Sequence, residues 1–179
     1  IGINNALVAQ EQAVNEKWAQ VQNVYQRRAD LVPNLVETVK GFATQERTVL
    51  EEVTKARANA TGIKATPELI NDPVAFRKFQ QAQAELGGAL GRLLVTVERY
   101  PELKATGNIG QLQEELTSTE NRIAFARQLY NDTATQYNTK QQQFPTTLVA
   151  GLAHAERTDL WEIEDQAERA VPQVDLSRR

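Results

Sequence analysis

The chain contains no cysteine, which excludes disulfides and thiolate metal sites and leaves the redox compartment open. It contains no methionine either, even at position 1, where Ile1 stands. A translated chain needs an initiator, so the expectation is that an N-terminal segment precedes Ile1 in the natural protein. Aromatic residues make up only 6% of the 179 positions, which suits helices with a narrow apolar stripe and broad wet faces. No window holds ~18 or more consecutive apolar residues, the length a membrane-spanning helix needs. Basic tracts are missing too: the formal net charge is -3, and nothing electrostatic points to nucleic acid as a partner.

What is present is periodicity. Ile109, Leu112, Leu116, Thr119, Ile123, Ala126, Tyr130, Thr133, Tyr137 and Phe144 follow a 3-4 spacing, with Lys140 in the remaining slot. Phe76, Phe79, Gln83, Leu86, Leu90, Leu93, Val97 and Tyr100 do the same. Such spacing places one side chain per turn on a single helical face, which has to pack on other helices. The first helix is expected over 4–29 on Leu7, Val14, Trp18, Val21 and Tyr25. Pro33 then interrupts the pattern, and a proline in mid-helix removes a hydrogen bond and clashes with the preceding turn. A break near Ala29–Asp30, with Asp30 as N-cap, would place Pro33 in a first turn, where it is tolerated. A single helix from 4 to 60 is the rival; the break is preferred because it gives pieces closer in length to the later helices.

The second helix is then 31–60, on Leu35, Val39, Phe42, Val49, Val53, Ala56 and Ala60, with Gly62 placed to stop it. Thr61–Asp72 is a connection with one short turn at Thr66-Pro67-Glu68. Asp72-Pro73 reads as cap and first turn of a third helix over 73–100, closed by Pro101. Pro101–Gly107 reads as a loop, and Asn108 with Gln111 resembles a capping box opening the fourth helix. That helix runs to about Gln143, with Pro145 ending it. A small apolar turn follows over 146–153, then a short helix around Asp159–Glu168 and an extended Val171–Leu176. The expected fold is all-α: an antiparallel four-helix bundle of long helices over residues 1–153, with a C-terminal tail over 154–179.

Chemistry is sparse. The sole histidine, His154, has Gly151 rather than a carboxylate three residues before it, so the Glu-x-x-His pairs of di-iron bundles are absent. Glu51-Glu52 and Glu114-Glu115 are helix neighbours about 100° apart and do not share a site. Serine catalysis would have to combine that histidine with Ser118 or Ser177, with no nucleophile elbow around either. No phosphate-cradling glycine loop precedes a Lys-Ser or Lys-Thr. The expectation is no catalytic, cofactor-binding or metal-binding residue. Gly87-Gly88-Ala89-Leu90-Gly91 suggests the close approach of a neighbouring backbone or, more sharply, a ligand groove. Arg27-Arg28-Ala29-Asp30 has two readings: its charges stabilise the corner between two helix ends, or Arg27, Arg28, Asp30 and Asn34 form a partner-docking corner.

The segment Gln26-Arg27-Arg28-Ala29-Asp30-Leu31-Val32-Pro33-Asn34-Leu35-Val36-Glu37-Thr38-Val39-Lys40-Gly41-Phe42-Ala43 resembles the signature of the LemA family of bacterial proteins. Tyr100-Pro101-Glu102-Leu103-Lys104, Gln111–Leu116, Thr119–Arg127, Tyr130-Asn131, Tyr137-Asn138 and Phe144-Pro145-Thr146 agree with it in order, and the match covers roughly residues 3–153. The resemblance implies a helical bundle whose natural N-terminus carries a transmembrane or lipoprotein-type anchor, and a family with no established enzymatic activity. It therefore implies a membrane-anchored, non-enzymatic interaction or scaffold domain at the cell envelope. A lipoprotein-like start would place the bundle in the periplasm or outside the cell; a cytoplasm-facing bundle is the other orientation. With an antiparallel helix count, the tail with Trp161 would lie near the membrane and the Arg27–Pro33 corner far from it. The alternative function is a small-ligand-binding bundle or cryptic enzyme using an inter-helix groove lined by Tyr130 and Tyr137. The heptad-like seams also permit self-association.

Overall fold

A computed structural model of the chain describes residues 1–143, 146–152, 155 and 157–161, apart from the side chain at 149. Among them the chain is all-α: α1 (Gly2–Phe42), α2 (Arg47–Gly62), a 3-10 turn (Pro67–Asn71), α3 (Pro73–Glu98), α4 (Pro101–Lys104), α5 (Gly107–Gln142) and α6 (Thr146–Leu152).

The expected break at Ala29–Asp30 does not occur. α1 is continuous for 41 residues with Pro33 inside it. Pro33 has no amide to donate to Ala29, so the Ala29 carbonyl loses its usual helical partner. Arg57 of α2 supplies one, with Nε donating to the Ala29 oxygen at 2.8 Å. The prolyl ring sits on the exposed side of α1, between buried Val32 and Leu35. The helix therefore survives its proline because a neighbour repairs the bond. The real turn comes at 43–46, where Ala43 still donates to Val39 at 2.8 Å and Glu46 donates to Ala43 at 3.1 Å. Consequently the second helix is not 31–60 but a piece of 16 residues. Among the described residues three helices are long, α1, α3 and α5, where four were expected, and α2 is shorter than these.

Residue pairs give the directions. Trp18 meets Tyr130 while Arg28 meets Glu120, so α1 and α5 run antiparallel. Arg92 meets Glu52 and Tyr100 meets Glu46, so α2 and α3 are antiparallel too. Trp18 packs on Phe76 and Arg28 bonds to Gln83, so α1 and α3 run the same way. α2 lies only against the later half of α1 and α3. Beside the earlier half of α1, its place is taken by the 3-10 turn, α6 and residues 157–161.

The core accordingly falls into two adjoining segments. One joins α1 beyond Ala29, α2, α3 beyond Ala82, α4 and the start of α5, around Leu35, Val53, Leu86 and Ile109. The other is aromatic, built on Trp18, Tyr25, Phe76, Phe79, Tyr130 and Trp161. Ile63 packs against both.

Several local expectations hold. Asp72 caps α3 by accepting from the amides of Val74 and Ala75, both at 3.1 Å. The 3-10 turn stands where Thr66-Pro67-Glu68 suggested it. Others fail. Asn108 is not a cap: α5 starts at Gly107 after Thr106, with no side-chain cap bond. The supposed loop after Pro101 is the one-turn helix α4, whose Leu103 is buried in the core. Thr133 is half-buried and its neighbour Ala134 takes the core position. Of the short helix expected around Asp159–Glu168, Asp159–Trp161 are not helical and 162–168 lie outside the described residues. Phe144, Pro145, His154 and the extended Val171–Leu176 lie outside the described residues.

Candidate functional site: a buried arginine, a clamped strap and an open groove

Arg28 is only 4% exposed and lies among three helices. From α1 its Nη2 donates to the Gln83 carbonyl of α3 at 2.6 Å and to Gln83 Oε1 at 3.0 Å. Nη1 donates to Glu120 Oε1 of α5 at 3.1 Å. The guanidinium carbon sits 5.0 Å from the centre of the Tyr25 ring, a cation–π distance. Gly87 makes the room, since a Cβ there would lie 3.2 Å from Nη1. The glycine thus accommodates an arginine side chain, not the neighbouring backbone that the cluster suggested. A charge so buried must be paired and hydrogen-bonded, and this one locks α1, α3 and α5 in register.

The proposed corner is therefore no corner. Arg27, Arg28, Asp30 and Asn34 all lie within the unbroken α1. Arg28 faces inward. Arg27 is exposed, 4.0 Å from Glu115 of α5. Asp30 is exposed and accepts from Gln26 at 2.8 Å. Asn34 is exposed, its carbonyl accepting from Thr38 at 2.7 Å.

The groove expected beside Tyr130 and Tyr137 is full. Tyr130 packs against Trp18 and Phe76, with ring centres 5.6 and 6.3 Å away. Its hydroxyl donates to the Asp159 carbonyl at 2.7 Å. Burial, with the nearby Asp159 charge, pushes the Tyr130 phenol well above its ordinary range.

Residues 157–161 form a strap laid along α5, and their main chain is read by side chains. Asn138 Nδ2 donates to the Thr158 carbonyl at 2.7 Å, and the Thr158 amide donates back to Asn138 Oδ1 at 2.8 Å. Asn131 repeats the pattern on Trp161, receiving its amide at 2.7 Å and donating to its carbonyl at 3.3 Å. Trp161, 4% exposed, stacks on Tyr25 at 5.4 Å with 14° between the planes, beneath the Arg127 guanidinium at 4.5 Å. Sequence reasoning missed this clamp. Its signal was the Tyr-Asn dipeptide recurring after seven residues at 130–131 and 137–138.

An open groove of about 660 Å³ lies between α1 and α2 near the turn that joins them. Val36, Leu50 and Ala58 supply its apolar lining, with Lys40, Lys55 and the Arg47–Glu51 pair around them. Among the described residues, Lys40 and Lys55 have no ion-pair partner. Phe42, 51% exposed, is at the same end of α1.

Among the described residues, no group of three or more His, Asp or Glu could hold a metal ion. No helix among them is long and apolar enough to cross a membrane. The model of one protein family, described as the LemA family, matches residues 17–176. The chain belongs to the LemA family. Among curated proteins, the chain is 23% identical to Protein LemA of Metamycoplasma hominis over 176 residues, covering 98% of the chain and 74% of that protein. It is 25% identical over 171 residues to Magnetosome protein MamQ of Magnetospirillum gryphiswaldense, covering 87% of the chain and 63% of the relative. Magnetosome protein MamQ 1 of Paramagnetospirillum magneticum is 24% identical over 174 residues, covering 88% of the chain and 64% of the relative. The chain thus spans less than two thirds of the length of the MamQ relatives. The segments that carried the LemA resemblance supply the machinery above: Arg28 comes from the first, and Asn131 and Asn138 follow the two tyrosines of the later one.

Proposed function

We propose that this chain is the interaction domain of a membrane-anchored, non-enzymatic protein of the bacterial cell envelope, with its helices facing the periplasm or the cell exterior. Its docking surface is the α1–α2 groove. The observation that carries this reading is an apolar floor beside two lysines that have no ion-pair partner among the described residues, at the end of α1 opposite the chain start. An apolar groove between helices accepts the apolar face of an amphipathic helix. Lys40 and Lys55 select one with Asp or Glu on its flanks, because opposite charge at a rim steers encounter and fixes register. Membership in the LemA family supports the anchor, and the antiparallel course of α1 and α5 supports the placement. The two meet near the chain start, so an anchor there holds the groove away from the membrane.

The test is crosslinked co-purification of the natural full-length protein from native membranes, read by mass spectrometry. A partner recovered with the natural protein and lost on combined Lys40→Glu and Lys55→Glu supports the groove. A partner retained by that variant but lost on Arg27→Glu moves docking to the exposed middle of α1. No partner at all, with the protein still in the membrane fraction, overturns the adaptor reading. Protease accessibility in intact spheroplasts decides which side of the membrane the domain faces.

A further inference from the structure

The strap is held almost entirely through its main chain. Asn131 and Asn138 each take the amide and the carbonyl of one residue, and Tyr130 takes the Asp159 carbonyl between them. The Asp159 amide donates to the Ile70 carbonyl at 3.1 Å. The spacings match. Seven helical residues rise ~10.5 Å, and three extended residues span about the same distance. Two carboxamides one heptad apart therefore form a rail that an extended chain can be laid on, running antiparallel to α5. Thr158 and Trp161 are the buried side chains, and Trp161 makes the demanding fit, in the aromatic slot formed with Tyr25. A site of this kind reads the geometry of a peptide and one aromatic residue. It has no means of telling whether that peptide belongs to its own chain.

We propose that this α5 rail is also an intermolecular docking site, in which the strap of a second copy replaces the chain's own. The occupant follows from the seated segment. Thr158–Trp161 already fits every contact, and each copy carries one rail and one strap. Exchange keeps every bond and costs only the rearrangement of the connecting chain. The intramolecular strap competes at an effective concentration on the order of millimolar, so the closed form prevails in dilute solution. Exchange takes over where copies are concentrated or where a strap is loosened.

Two full-length variants test this by complementation. Trp161→Ala spoils the strap and leaves the rail; Asn131→Ala with Asn138→Ala spoils the rail and leaves the strap. Circular dichroism establishes that each is folded, and sedimentation gives its mass alone and in equimolar mixture. Where the double variant does not fold, Asn138→Asp takes its place, since it keeps the acceptor for the Thr158 amide and loses the donor. The expected result is a one-to-one complex in the mixture and in neither variant alone. Adding Thr158→Pro to the strap donor, which removes the amide that Asn138 receives, weakens that complex roughly five-fold, the equivalent of one lost hydrogen bond. A mixture that stays monomeric with both variants folded overturns the proposal. So does capture of a synthetic Ala155–Trp161 peptide by the Trp161→Ala chain without any mixed complex, because the rail would then serve foreign peptides and not a second copy.

Discussion

Arg57 Nε lies 2.8 Å from the carbonyl oxygen of Ala29, the oxygen that Pro33 leaves without its helical donor. The two helices are joined by the defect in one of them. Removing the arginine re-creates an unsatisfied carbonyl at a site where Ala29 is buried, which costs ~1–3 kcal/mol. Arg57→Met, which keeps most of the stem, is expected to lower stability by about that amount in urea. In a Pro33→Ala background the helix regains its own bond, so Arg57→Met should cost markedly less. A double-mutant cycle measures the difference, and equal costs in both backgrounds would break the link.

The glycine cluster of α3 predicts opposite outcomes for the same substitution. Gly91 meets nothing within 4 Å, so Gly91→Ala should stabilise by roughly 0.5–1 kcal/mol through helix propensity. At Gly87 the new methyl meets Arg28 Nη1 at 3.2 Å. That nitrogen is held by Glu120 and its twin by Gln83, so it has little freedom to give way. Gly87→Ala should therefore gain nothing or lose stability. Denaturant midpoints of the two variants, compared at equal slope, decide it.

Trp161 separates packing from hydrogen bonding. Its indole Nε1 is buried with no hydrogen-bond partner among the described residues. Trp161→Phe should then cost little beyond the lost volume, since no donor is removed. Trp161→Ala empties the slot against Tyr25 and should cost ~3–5 kcal/mol, the range for a large aromatic truncated in a core. Thermal unfolding of both variants checks the ratio; equal losses would mean that the indole nitrogen matters after all.

Alkaline pH should weaken the fold through Tyr130. Its pKa is raised in the folded state, whereas in the unfolded chain a tyrosine titrates near ~10. The folded state thus holds the proton more tightly. The sign follows from linkage: the contribution is complete below the unfolded value and is lost as pH rises past it toward the folded one. Stability should fall above about pH 10, with tyrosinate absorbance appearing together with unfolding. Tyr130→Phe should flatten that fall while losing the bond to the Asp159 carbonyl at neutral pH.

The all-α class and the buried faces of the long helices were legible in the sequence because burial on a helix repeats locally. Leu86, Leu90, Leu93 and Val97 announce one face of α3, and Asp72-Pro73 announces its start within four residues. What escaped were the contacts that join distant positions. Pro33 obeys the rule that predicts a break until Arg57, 28 positions after Ala29, supplies the missing donor. Gly87 looks like a place for backbone because nothing nearby in sequence points to an arginine from α1. The inward turn of Arg28 escaped for the same reason, since it reads as a surface charge until Gln83 and Glu120 are brought to it. The strap was hidden most deeply: Asn131 and Asn138 look like polar punctuation on a wet helix face, and only their pairing with Thr158 and Trp161 reveals a clamp.

The repair at Pro33 also makes α1 a ruler. A continuous helix of 41 residues is about 60 Å long, so whatever grips Gly2 is held at a fixed height from whatever meets Phe42. A broken helix would have folded that length back on itself and halved the reach. Inserting one heptad into α1, with its counterpart in α5, would lift the far end by ~10.5 Å without altering a single residue of the groove.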